Sequence, residues 1–164
     1  METTGNGSPG SSILPNGGLP ILIRLALGAM GGFFGAVLAA VIWGLVVFFT
    51  ETEFSFLAIG VGFLAGVGVL LGSLGSRGWM FQFLAVDFSL LGLALGYYAS
   101  FYAFARDFIA ENYGAEYASN VGVFSPATLS LFIESLPNLI DPFTLIWAVI
   151  AVITAWGVPR RVKS

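Results

Sequence analysis

Four stretches of this chain are too apolar to be left in water. They run approximately from Ile21 to Phe49, Phe54 to Leu74, Trp79 to Ala105 and Pro142 to Val158, against the ~20 residues needed to cross a bilayer. In a chain of 164 residues, one bundle of four spans leaves no room for a separate catalytic domain. The balance of residue types agrees: charged residues make up 9% of the chain, whereas a soluble domain carries roughly a quarter. The expected fold is all-α, a polytopic membrane helical bundle of four transmembrane helices with one short outer amphipathic helix.

What is missing narrows the chemistry. The chain has no Cys and no His, which removes disulfides, thiol nucleophiles, imidazole and thiolate metal sites, His-ligated haem and the Ser-His-Asp triad. Only carboxylate chemistry remains. An aspartyl mechanism needs two apposed carboxylates sharing a proton, and one acid alone, Asp87, lies well inside a span. No G-x-S-x-G elbow is present either. The expectation is a non-catalytic protein with no metal and no predicted cofactor, lipid or pigment contacts being left open. The net charge of −3 argues against nucleic acid as a partner.

The chain divides simply. Residues 1–19, rich in Gly, Ser, Asn and Pro, cannot bury enough apolar area to fold alone and read as a flexible tail. No basic region precedes the first apolar run, which is too long for a cleavable leader, so it is expected to stay in the membrane. Residues 20–159 form the transmembrane domain, with an outer connection over 106–141, and 160–164 form a basic C-terminus. Arg24, Arg77, Arg160, Arg161 and Lys163 all fall on one side of the expected bundle, and short loops rich in Lys and Arg stay cytoplasmic. Both termini are therefore expected inside. The other side carries Arg106 with Glu51, Glu53, Asp107, Glu111, Glu116, Glu134 and Asp141, a solvated acidic face or a concentrator of cations at a pore mouth. In the outer connection Ser125-Pro126 marks a helix start, and Leu129, Phe132, Ile133 and Leu136 recur at helical spacing. Pro137 is expected to end that helix, and Asp141-Pro142 repeats the start signal.

The stretch LAIGVGFLAGVGVLLGSLGSRG, from Leu57 to Gly78, holds seven glycines in 22 residues. Glycines at close spacing cradle phosphates in soluble nucleotide-binding folds, but there they follow a strand and open a helix. Here they lie along an apolar span. At 100° per residue Gly62 and Gly66 share one face with Ser73, while Gly68, Gly72 and Gly75 share another about 120 to 140° away. The first span gathers Gly28, Gly31, Gly32, Gly35 and Ala39 onto one face, and the third gathers Ala85, Gly92, Gly96, Ala99 and Ala103. Small residues four apart let membrane helices approach closely, so the second span is expected to be central, flanked by the first and third. The end of the stretch, GSLGSRG, reads as a tight cytoplasmic turn, the alternative being that its Arg77 meets a lipid phosphate or a partner's carboxylate.

Asp87 is eight residues past Trp79, and if Trp79 marks the interface the carboxylate lies ~12 Å into the apolar region. An ionisable group at such depth costs at least ~2.5 kcal/mol on insertion scales and is a functional hypothesis by default. It points away from the small-residue face of its span, with Ala94, Tyr98 and Ala105 on its own side. Three roles are open: an interhelical hydrogen bond or ion pair, with Arg24 or Arg77 as candidate cations; a proton or cation site; or exposure to a cytoplasmic crevice. Trp43, Trp147, Tyr97, Tyr98, Tyr102, Tyr113 and Tyr117 invite a pigment or quinone pocket, but such residues are more often interfacial anchors.

Trp43, the run TETEF from Thr50 to Phe54 and AIGVGFLAG from Ala58 to Gly66 resemble a widespread group of small bacterial membrane proteins, over about 45 residues of the first two spans. The AWGVPRR ending resembles them less closely. The resemblance implies a four-span topology in a bacterial cytoplasmic membrane and implies no mechanism. The function expected from all these features is an accessory, structural or assembly subunit packed against other membrane-protein subunits or against itself. The alternative is a small homo-oligomeric channel or transporter that moves protons or cations through Asp87.

Overall fold

A computed structural model of the protein describes residues 19–50, 55–139 and 142–160. The tail over 1–18, Glu51, Glu53, Asp141, Arg161 and Lys163 lie outside the described residues. All regular structure within them is helical: α1 (Ile21–Thr50), α2 (Leu57–Gly72), α3 (Trp79–Tyr113), α4 (Ala115–Ser119), α5 (Pro126–Leu139) and α6 (Pro142–Gly157). By length and apolar character α1 and α3 each suffice to cross a membrane, and α5 with α6, bent by 103° at their junction, make a third candidate span if taken together. With 30 and 35 residues, α1 and α3 are about 45 and 52 Å long, well beyond the ~30 Å hydrocarbon core. The 16-residue helices α2 and α6 reach only about 24 Å. Large apolar side chains such as Phe34, Phe49, Leu71 and Phe83 face outward, the reverse of a water-soluble globule and the arrangement expected where lipid is the solvent.

The helices pack through glycine in two distinct ways. Along α1 and α2 the backbones themselves touch: a Cβ on Gly31 or Gly35 would collide with the carbonyl oxygens of Gly68 and Leu64, and one on Gly72 with that of Leu27. Elsewhere a glycine makes room for a neighbour's side chain. Gly96 accepts the Trp43 indole, whose Cε3 lies 3.0 Å from where a Cβ would sit, Gly92 accepts Val61 at 2.7 Å, and Gly32 accepts the Phe88 ring. Gly28 packs on Ser73 at 3.2 Å in the same sense.

The partner of the second glycine face of α2 differs from the sequence expectation. Gly62 presses on the Ala151 backbone of α6, and Gly66 on the Val158 side chain just past its end and on the Ala155 carbonyl, not on α3. The small face of α3 instead receives bulky residues of α1 and α2, so glycine on one helix is matched by volume on the other. Gly75 belongs to neither face, since a Cβ there would meet nothing within 4 Å. It closes the turn after α2 at φ +75°, its N–H donating to the Leu70 carbonyl at 2.8 Å, the left-handed stop at which glycine is favoured.

That turn gathers three elements. Arg24 Nη1 near the start of α1 donates to Ser76 Oγ at 3.3 Å. Gly78 N–H donates to the Pro159 carbonyl at 3.2 Å, and Arg77 Nη1 donates to the Arg160 carbonyl at 3.2 Å. The described basic residues other than Arg106 thus share one end of the bundle. At the other end Ser125 caps α5, accepting the Thr128 N–H at 3.1 Å. The helix then runs through Pro137 to Leu139, past the expected stop. Proline withholds only one helical donor here, and it does so in the last turn, where the affected carbonyl belongs to the exposed Ile133.

Candidate functional site

Asp87 lies in the first third of α3, on the surface of the bundle. Helical rotation sets it opposite Ala85, Gly92 and Gly96, the residues that bury α3 against α1 and α2. Phe83, Leu90 and Leu91, one turn away, and Met80, two turns back, are all exposed apolar side chains. The carboxylate makes no hydrogen bond or ion pair among the described residues. Its two candidate cations are engaged elsewhere, Arg24 with Ser76 and Arg77 with the Arg160 carbonyl. Among the described residues Asp87 thus forms no ion pair between helices. α3 meets α6 close by, where Phe83, one turn before Asp87, packs edge-on against Trp156 at 5.2 Å.

The buried polar groups are elsewhere on α3. Gln82 Nε2 donates to the Trp156 carbonyl at 3.1 Å, supplying a donor where the end of α6 has no helical N–H left to give. Ser89 and Ser100 are fully buried, and their hydroxyls find no partner among the described residues, as do the indole N–H groups of Trp43 and Trp147. Trp43, 1% exposed, is a core residue with Tyr97 tilted on it at 5.2 Å, and not the interfacial anchor expected from its residue type. Helical period alone could have found this, because Trp43 continues the small face of α1 by one turn from Ala39.

The tyrosines have a definite task. Tyr98 and Tyr102 donate their hydroxyls to the Val123 and Val121 carbonyls, the latter at 3.0 Å, tying the connection between α4 and α5 down onto α3. Tyr98 also takes Phe132 of α5 edge-on at 5.1 Å and stacks with Phe124 at 6.3 Å. The stripe expected on α5 is thus seated mainly through Phe132, while Ile133 stays 64% exposed.

Of the outer acids, Asp107 and Glu111 line a shallow cavity of about 460 Å³ with Phe104, Phe108 and Ala110. All five residues come from one face of α3. Among the described residues no three carboxylates converge as a metal site, and no second acid joins Asp87 to share its proton. Compared with models of protein families, with curated proteins and with solved structures, the chain matches none.

Proposed function

We propose that this protein is a non-catalytic accessory or assembly subunit of a membrane-protein complex, with four spans and both termini cytoplasmic in a bacterial inner membrane. One observation carries the reading: a carboxylate ~12 Å from the Trp79 interface sits on the outward face of α3 with no partner among the described residues. Exposed to lipid, such a group costs about 2.5–3.5 kcal/mol. A donor on an adjoining chain removes most of that cost and makes Asp87 a determinant of assembly. The four-span topology is supported by α2 and α6, short as they are, packing side by side, α2 against both full-length helices and α6 against α3. The orientation is supported by Arg24, Arg77 and Arg160 sharing one end of the bundle.

The test is extraction from native membranes in a mild detergent, native mass determination and identification of every co-purifying chain, for wild type, Asp87→Asn and Asp87→Leu. One defined larger complex, retained in part by the Asn variant and lost by the Leu variant while the free chain stays helical, is the expected result. A homo-oligomer whose reconstituted wild type conducts protons or cations, and whose Asp87→Asn variant does not, overturns the accessory role in favour of the channel alternative. A monomer indifferent to both substitutions overturns both.

A further inference from the structure

A groove of about 730 Å³ runs between α1 and α3 toward the end of the bundle away from the arginine-rich turn. Its floor is made of small residues: Ala40 and Gly44 on α1 meet Ala99 and Ala103 on α3, and a Cβ on Gly44 would stand 3.0 Å from that of Ala99. Bulkier side chains, including Phe33, Phe48 and Leu95, form the walls, and Val123 and Phe124 close the outer end. The two tyrosine hydroxyls hold that closure in place. Except at its mouth, the lining is essentially carbon.

The mouth holds Arg106, which is exposed, lines the groove and makes no hydrogen bond or ion pair among the described residues. It lies 27 residues beyond Trp79 on one unbroken helix. That is about 40 Å, against ~40–45 Å for a bilayer including its headgroups. A Trp79 at one interface therefore places Arg106 in the headgroup layer of the opposite leaflet. From Phe33 to Phe48 the groove follows α1 for about 22 Å, longer than the ~15 Å of one hydrocarbon leaflet.

We propose that this groove binds a phospholipid of the outer leaflet, one acyl chain lying along the small-residue floor and an anionic headgroup resting on Arg106. Charge decides for lipid. A guanidinium at headgroup depth, with no carboxylate paired to it among the described residues, is the complement of a phosphate, which it takes in bidentate fashion. Size agrees, because 730 Å³ is within the ~300–1,000 Å³ range of small-molecule pockets.

The experiment is native mass spectrometry of the delipidated full-length chain in neutral detergent, titrated with dioleoylphosphatidylglycerol, dioleoylphosphatidylcholine or inorganic phosphate. Wild type should take up one phosphatidylglycerol per chain at saturation and bind phosphatidylcholine more weakly, while inorganic phosphate leaves no adduct. Arg106→Gln should weaken phosphatidylglycerol about fivefold, the worth of one basic residue at a membrane surface, and leave phosphatidylcholine unchanged. Val41→Trp or Leu45→Trp, each filling the groove from an exposed wall position, should abolish uptake of both lipids, with circular dichroism showing the helices intact.

Equal phosphatidylglycerol affinity in wild type and Arg106→Gln overturns the proposal, as does non-saturating uptake indifferent to the tryptophan variants. Self-crosslinking of Val41→Cys in a chain of doubled mass also overturns it, because the groove would then seat a second copy. Each result is distinguishable from failure of the accessory role, which is read at Asp87, 19 residues and about 28 Å before Arg106 along α3.

Discussion

Replacing Gly62 with alanine tests the contact between α2 and α6 with a single methyl group. A Cβ at Gly62 would lie 2.9 Å from the Ala151 carbonyl carbon and 3.0 Å from its Cα, where ordinary contact begins at 3.4 Å. The Ala151 carbonyl oxygen lies closer still, and all three obstacles are backbone, so no rotamer change relieves them and the two helices must separate by about an ångström. Overpacking of this kind costs about 1–3 kcal/mol, a factor of about 5 to 150 in the folded-to-unfolded ratio. Gly60 is the internal control: it lies on the same helix, is exposed, and a Cβ there meets nothing within 4 Å. Gly60→Ala should therefore be neutral, or gain up to ~1 kcal/mol from helix propensity. Reversible unfolding in mixed micelles of rising dodecyl sulfate fraction, followed by circular dichroism, measures both. Equal midpoints for the two variants would refute the backbone contact between α2 and α6 and, with it, the second neighbour assigned to α2.

Gln82→Ala removes the donor to the Trp156 carbonyl and should cost about 1–3 kcal/mol in the same unfolding assay, most of it recovered by Gln82→Asn only if the shorter amide still reaches. Ser125→Ala removes the α5 cap and should cost about 0.5–2 kcal/mol, seen as faster hydrogen exchange at the Thr128 amide with that of Ala65 unchanged. Because the chain has no cysteine, single substitutions report orientation: an impermeant thiol reagent added to intact cells should label Asn120→Cys and leave Arg77→Cys untouched. Labelling in the opposite sense would invert the assigned topology.

Much of the architecture was legible because bilayer physics writes it in long runs. The first apolar stretch begins and ends within a residue of α1, and the glycine faces follow directly from 100° per residue. What stayed hidden had local and identifiable reasons. α3 continues eight residues past the apolar boundary at Ala105, since Arg106, Ala110 and Glu111 are good helix formers in water even though they end the hydrophobic signal. α2 is shorter than its apolar run, because Leu74 and Gly75 adopt positive φ inside a stretch whose hydropathy does not fall. The depth of Asp87 could be counted from Trp79 along the chain, yet which surface it joins depends on how three other helices sit, and no periodicity within α3 contains that. The groove beside Arg106 was equally invisible, since alanine and glycine at a helix contact look the same whether the space above them is filled or open.

The latch that joins Gly78 to Pro159 and Gln82 to Trp156 also sets an order of events during synthesis. α1, α2 and α3 are all made before the residues that complete the turn between the second and third of them. Until α6 arrives, Gly62 and Gly66 present bare backbone to the lipid and Gln82 carries an amide with nothing to donate to. A product interrupted before Trp156 therefore displays a glycine furrow and an unmet polar group within the bilayer, features by which membrane quality control could tell an unfinished chain from a finished one.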